Sequence, residues 1–237
     1  MVRASALQVV WRKYGASYVQ AYLLSERPLR YLRNSLILVA LSVLGQVLSS
    51  ALVAYAFARL RWPGRDPLFL LLLLTLMVPS QVTLVPTFLL MKWLGLYNTL
   101  AALWLPNFCG SAVYIFLLRQ FMKGIPVQLE DAAKIDGCGH LGIFVRVILP
   151  LLRPALAAVA LFTFVTTWND FLGPLLYLND PRLYPLSLGL HEFRGEHGSD
   201  HGVLMAAATL VTLPVAGMFL LFQRSFLQSL SLTGIKG

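Results

Sequence analysis

The chain has 237 residues, 58% hydrophobic and 12% charged, with a formal net charge of +9 and a mean hydropathy of +0.72. That balance excludes an ordinary soluble domain and belongs to the membrane class. The positive charge is no nucleic-acid footprint, because it clusters in short stretches between long uncharged ones.

Residues 1–33 come first and differ from the rest. Their longest uncharged run, 14–25, is too short to cross a bilayer. No apolar core precedes a small-residue cleavage site, so a signal peptide is not indicated. Trp11, Tyr14, Tyr18 and Tyr22 suit a headgroup boundary, and the segment reads as interfacial or extracytoplasmic. Crossing the hydrocarbon core takes about 20 helical residues. Uncharged runs of that order predict five spans, at about 34–58, 67–91, 97–121, 153–178 and 202–225. With alternating spans, Arg59, Arg61, Arg65, Arg119, Lys123, Lys134, Arg146, Arg153, Arg224 and Lys236 share one side. The other side carries only Lys92, Arg182 and Arg194. The basic side faces the cytoplasm, and with it the loop at about 122–150 and the C-terminus. Alternation leaves residues 1–33, themselves basic, outside.

The span 67–91 contains Pro79, twelve residues past Pro67 and so about 18 Å along a helix, near mid-membrane. Pro79-Ser80-Gln81-Val82-Thr83, followed by Pro86, predicts an interrupted helix. Such breaks line a substrate path or pack against neighbours that satisfy the freed carbonyls. Gln81 and Thr83 are candidates for either role. Asn107, after Pro106 in the next span, poses the same choice.

Between the third and fourth spans, Gly124-Ile125-Pro126 ends one helix, and Pro126 suits the first turn of another. The spacing predicts a short helix over 127–135, with Glu130 and Asp131 near its positive end and Glu130 placed to pair with Lys134 at i+4. Ala132 and Ala133 leave a smooth patch for close approach. Asp136-Gly137 predicts a turn. A second helix starts near His140, with Ile143, Phe144, Val147 and Ile148 on one stripe. A polar hairpin of this kind is either a linker between spans or a surface another protein grips.

Further on, Trp168-Asn169-Asp170 places a carboxylate about 24 Å beyond Pro154, near the external interface. Asp170 either gates or contacts a solute there, or caps local structure. A path for a hydroxyl-rich solute would use amide and carboxylate partners such as Asn169 and Asp170, and ring faces such as Trp104 or Trp168. In the 179–202 loop, His191, His197 and His201 with Glu192, Glu196 and Asp200 match no compact metal-ligand spacing, and the loop reads as solvated. Cys109 and Cys138 offer neither a disulfide framework nor a metal site.

Glu-Asp-Ala-Ala-Lys-Ile-Asp-Gly at 130–137, with Arg-Val-Ile-Leu-Pro at 146–150, resembles the "EAA" loop of binding-protein-dependent ABC importer permeases. RYLRNSLILVA (31–41), AYAFARLRWPGR (54–65), MVPSQVTLVPTFLL (77–90), LGLYNTL (94–100), IFLLRQF (115–121), LPLLRPALA (149–157) and WNDFLGPLLYL (168–178) resemble the carbohydrate branch, specifically a maltose-type second permease subunit. The likeness runs from about residue 17 to the C-terminus. Two positions depart mildly: Asp131 stands where the motif has glutamate, and Cys138 where it has alanine. The tail's Ser229-Leu230-Ser231 is also less typical. The resemblance implies an all-α integral membrane protein with the type I ABC importer transmembrane fold. It usually has six spans, and a first span missing from this sequence would restore a cytoplasmic N-terminus.

The resemblance further implies a heterodimer with a second permease, a cytoplasmic ABC ATPase dimer and an extracytoplasmic sugar-binding protein. In that family the hairpin docks on the ATPase, so Glu130, Asp131, Ala132, Ala133, Asp136 and Gly137 are the coupling residues it implies, with Glu130 and Lys134 as rim contacts. ATP and Mg²⁺ would be used by the partner, since this chain has no Gly-rich Lys-Ser/Thr phosphate loop and binds no cofactor on this reading. The rivals are an intramembrane glycan- or lipid-modifying enzyme using Asp170, and a secondary transporter. Neither accounts for the hairpin.

Overall fold

A computed structural model of the chain describes residues 27–196, 205, 208–209 and 211–220. Among these residues the elements are helices joined by turns, with no strand. The expectations for residues 1–26, for His197, Asp200 and His201, and for the C-terminal tail fall outside the described residues.

Helix α1, Arg27–Arg59, is 33 residues long, about 50 Å at 1.5 Å per residue. Its pattern is the reverse of a soluble helix. Leu36, Leu44, Leu48 and Leu52 are exposed, while Asn34, Ser35, Ser42, Gln46 and Ser50 are buried. In a bilayer the solvent is apolar, so leucines face outward and polar groups turn toward protein partners that can satisfy them.

Helix α2 (Arg65–Leu74) continues as a 3₁₀ turn to Met77, and helix α3 (Ser80–Trp93) follows. The two arms meet at 101°. Val78 and Pro79 are extended at the break, and Pro79 has no N–H with which to continue the ladder. The interruption expected at Pro79 is therefore present, and it turns the chain through more than a right angle.

The third long segment, Ala101–Lys123, comprises helix α4 (Ala101–Trp104), a 3₁₀ turn (Leu105–Cys109) and helix α5 (Ala112–Lys123). Pro106 starts the 3₁₀ turn. Gly110 then takes φ of 77°, a value that side-chain-bearing residues rarely adopt. Helix α6 (Gln128–Ile135) and helix α7 (His140–Ile143) form the hairpin. A π-helical turn (Phe144–Ile148) and helix α8 (Leu149–Leu151) lead to helix α9 (Arg153–Trp168). The chain bends by 77° on entering α9.

The fourth predicted span differs from expectation. Rather than continuing to residue 178, α9 stops at Trp168, and helix α10 (Leu172–Tyr177) is separate. Asn169 Nδ2 donates to the Val165 carbonyl at 2.8 Å and closes the last turn. Pro174 has no N–H to offer the Asp170 carbonyl, and Ser187 Oγ donates to that oxygen instead at 2.6 Å. A 3₁₀ turn (Pro181–Leu183) leads to helix α11 (Leu186–Glu196), and helix α12 covers Val211–Leu220.

Among the described residues, Leu29–Arg59 and Ala101–Lys123 are each long and apolar enough to cross a membrane. The bent pairs Arg65–Met77 with Ser80–Trp93, and His140–Leu151 with Arg153–Trp168, make up to two more.

Among the described residues, two buried clusters hold α1 in place. The larger combines Ala51, Ala54, Tyr55 and Phe57 of α1 with Leu118, Met122, Ile148, Leu152 and Val159. The smaller stacks Phe164 and Trp168 against Val39. At the α1 end away from the hairpin, Asn34 Nδ2 donates to the Arg182 and Tyr184 carbonyls at 2.9 and 3.1 Å. Leu186 N donates to Ser35 Oγ at 2.8 Å.

Candidate functional site: the hairpin and the membrane path

Helix α6 ends where Asp136-Gly137 is read as a turn. The Gly137 N–H donates to the Lys134 carbonyl, and the Cys138 N–H to the Ala133 carbonyl, at 3.0 and 2.9 Å. With Gly137 at φ of 83°, this is a Schellman cap, which satisfies carbonyls the helix end leaves open. The cap fixes the angle at which α7 departs.

The two faces of α6 have different tasks. On the inner face, Ala133 packs into the larger core beside Ile125, Ile143 and Phe144, while Ala132 is exposed. On the outer face, Ile135 is 87% exposed, and Leu141 at the start of α7 is 71% exposed. Ile143, Phe144 and Ile148 are buried and Val147 partly so, so the stripe expected on the second leg faces the bundle.

Glu130 departs from the sequence expectation of a rim contact paired with Lys134. It lies buried against Arg59, the last residue of α1, with Arg59 Nε 2.8 Å from Glu130 Oε1. The two side chains are 8% and 7% exposed. Neither of these two atoms has a hydrogen-bond partner, so the contact is ionic rather than an aligned hydrogen bond. The other branch of the guanidinium, Nη2, donates to the Met122 and Ile125 carbonyls at 2.5 and 2.6 Å. Those carbonyls lie at the negative end of α5, where a cation is favoured. Removing one member of a buried pair typically costs about 3–5 kcal/mol, because the other charge is left unpaired. Lys134 instead reaches Asp131 at 3.0 Å, on the surface, a contact worth at most about 1 kcal/mol. Asp136 serves as the C-cap residue of α6, its N–H donating to the Ala132 carbonyl at 3.0 Å.

Tyr55, one turn before Arg59, donates from its hydroxyl to the His140 carbonyl at 3.3 Å. Its ring tilts against Phe144 at 5.0 Å. The last turn of α1 therefore holds both legs of the hairpin.

Of the path candidates, Gln81 and Thr83 are exposed in the first turn of α3. Thr83 Oγ1 donates only to the local Ser80 carbonyl, at 3.0 Å. Asn107 is bonded into α1: its Nδ2 donates to Ser42 Oγ at 3.1 Å, and its carbonyl accepts from Ser49 Oγ at 3.2 Å. Trp168 is in the core, 2% exposed, with its indole N–H donating to the Val211 carbonyl at 3.0 Å. Phe164 stacks on one ring face, so Trp168 offers no open face to a solute. Asn169 is exposed and bonded within α9. Asp170 Oδ1 accepts from the Gly173 N–H at 3.1 Å and caps α10. The structure thus gathers the hairpin residues into one unit and scatters the path candidates over separate elements. Among the described residues, no three His, Cys, Asp or Glu side chains converge as a metal site.

Sequence reasoning missed Arg59 as the partner of Glu130, and it missed the polar stripe of α1. The stripe was available, since Ser35, Ser42, Gln46 and Ser49 recur at helical spacing.

The described residues are those of an integral membrane protein, a helical bundle with a polar hairpin between its spans. The chain belongs to the family described as binding-protein-dependent transport system inner membrane component, whose model matches residues 46–232. It is 38% identical over 203 residues to the arabinooligosaccharides transport system permease protein AraQ of Halalkalibacterium halodurans, covering 86% of this chain and 71% of that one. It is 35% identical to the polygalacturonan/rhamnogalacturonan transport system permease protein YtcP of Bacillus subtilis, covering 86% of this chain and 77% of that one. Its fold matches a chain of a bacterial ABC transporter involved in the import of the acidic polysaccharide alginate. That match has a TM-score of 0.78 at 24% identity and covers 89% of this chain and 79% of that one.

Proposed function

We propose that this chain is one of two permease subunits of an ATP-driven carbohydrate importer, paired with a second, different permease. A cytoplasmic ATPase dimer would use ATP and Mg²⁺ on its behalf, and an extracytoplasmic binding protein would deliver the sugar. The hairpin and the C-terminus face the cytoplasm on this reading, in keeping with the basic loops at that end. This chain carries out no chemistry itself.

The hairpin is the observation that carries the proposal. Its inner face is anchored by Glu130 and Ala133, and its outer face presents Ile135 and Leu141 to the surroundings. Exposed apolar side chains on a rigid polar element suit the groove of a protein partner. The substrate class rests on the relatives, whose names concern arabinooligosaccharides and polygalacturonan/rhamnogalacturonan. Gln81 and Thr83, exposed beside the 101° break, remain the path candidates best placed to face a cavity shared with the second permease.

The test is to replace Ile135 and Leu141 with glutamate, both outside the core. Wild-type protein should bring an ATPase with it on purification from native membranes and support uptake of labelled arabino- or galacturono-oligosaccharides. The variant should reach the membrane in equal amount, lose the ATPase and lose uptake. A wild type that recruits no ATPase would overturn the assignment.

A further inference from the structure

Helix α1 is gripped by polar side chains along its length, and three of those levels bear on the hairpin and the third segment. At the hairpin end, Arg59 holds Glu130 of α6 and the Met122 and Ile125 carbonyls at the end of α5. One turn in, Tyr55 holds the His140 carbonyl and packs on Phe144. Near the middle, Ser42 and Ser49 hold Asn107, and Ser50 Oγ accepts from the Ser111 N–H at 3.5 Å on the far side of Gly110. That middle grip falls on the 3₁₀ break of the third segment, the part of it least held by its own helical ladder.

We propose that Arg59 is a positioning residue that clamps the hairpin to α1, so that displacement of the hairpin is carried along α1 to the break at 105–111. This rests on the importer reading above and adds the route by which motion enters the membrane. The geometry favours a clamp over a passive packing contact. A guanidinium is a planar fork that binds several acceptors at once, and here it joins three segments of chain. A buried ion pair is also no special source of stability, since apolar replacements often hold as well. A charged clamp therefore calls for another reason, and fixing one arrangement of the hairpin is such a reason.

The experiment separates holding from transmitting. Arg59→Met/Glu130→Met removes both charges together and leaves neither unpaired, and the apolar pair keeps the junction filled. Spin labels are placed at Gln128→Cys on α6 and Leu52→Cys on α1, both exposed, with Cys109 and Cys138 replaced by serine. In the purified chain alone, the wild-type pair should give one narrow distance, and the Met/Met variant a broad one. In the complete transporter, the Met/Met variant should still bind and stimulate the ATPase. It should, however, use severalfold more ATP per sugar moved. Arg59→Lys, a single point charge, should fall between the two.

A broad wild-type distance, or a Met/Met variant that couples as the wild type does, would overturn the clamp. Failure of the importer reading would look different, as a wild type that recruits no ATPase while the narrow distance persists.

Discussion

Replacing Gly45 with leucine tests why α1 and the 105–109 turn lie so close. A Cβ at Gly45 would stand 2.3 Å from Cδ2 of the Phe108 ring, more than 1 Å inside the distance of about 3.5 Å at which two carbons make contact. Phe108 is 40% exposed, so its ring can swing toward lipid and absorb an alanine, at the loss of its edge contact with Trp104. A leucine cannot be absorbed that way and forces the two segments apart. Separation breaks the Ser42–Asn107, Ser49–Asn107 and Ser50–Ser111 hydrogen bonds. Three such bonds, at about 0.6 kcal/mol each within membranes, come to about 2 kcal/mol. Overpacking adds about 1–3 kcal/mol, and the better helix propensity of leucine returns somewhat under 1 kcal/mol. The expected loss is about 2–4 kcal/mol for Gly45→Leu and under about 2 kcal/mol for Gly45→Ala. Denaturant unfolding of the detergent-solubilised protein, followed by tryptophan fluorescence, reads it, and Trp104 lies beside the site. Adding Phe108→Ala, which removes the ring supplying the three nearest atoms, should restore part of the loss in both variants. A Gly45→Leu protein as stable as the wild type would refute the close-approach reasoning.

Gly189→Ala should destabilise more than Gly45→Ala, because its Cβ would meet the Tyr31 ring at 2.2 Å and Tyr31 is buried; the same unfolding assay ranks the two. Asp170→Ala should cost about 1 kcal/mol through loss of the α10 cap, whereas Asp170→Asn, which keeps an acceptor for the Gly173 N–H, should cost less. Sugar uptake by Asp170→Asn separates this capping role from a role in the path, since a capping residue leaves transport near wild type. At Asp180, the hydrogen bond from the Arg182 side chain holds the carboxyl below the usual carboxylate range. A depressed carboxyl contributes stability that is present above its unfolded pKa and lost as pH falls through its folded one. Hydrogen exchange in 180–186, corrected for intrinsic rates, should therefore quicken on acidification below about pH 4, and Asp180→Asn should abolish that pH dependence.

Much of the fold is legible in the chain because bilayer thickness imposes a length on every uncharged run. Proline marks two of the breaks, since a missing N–H is a local fact: Pro79 at the 101° bend, Pro106 at the 3₁₀ turn. The Asp136-Gly137 turn is equally local, and its Schellman cap needs only Gly137. The hairpin motif was likewise readable, as residue order within one short stretch.

What only the tertiary structure decided are the partners. Lys134 was the nearest cation to Glu130 along the helix, yet Arg59, far away in sequence, holds it, because folding brings the end of α1 against the end of α5. Trp168 and Asn107 are the kind of residues a sugar path uses, and both are bound to their own chain. Type and spacing along a helix determine what a side chain is able to do. Which neighbour satisfies it depends on how helices distant in sequence are brought together, and in an apolar solvent each polar group must find that neighbour within the protein.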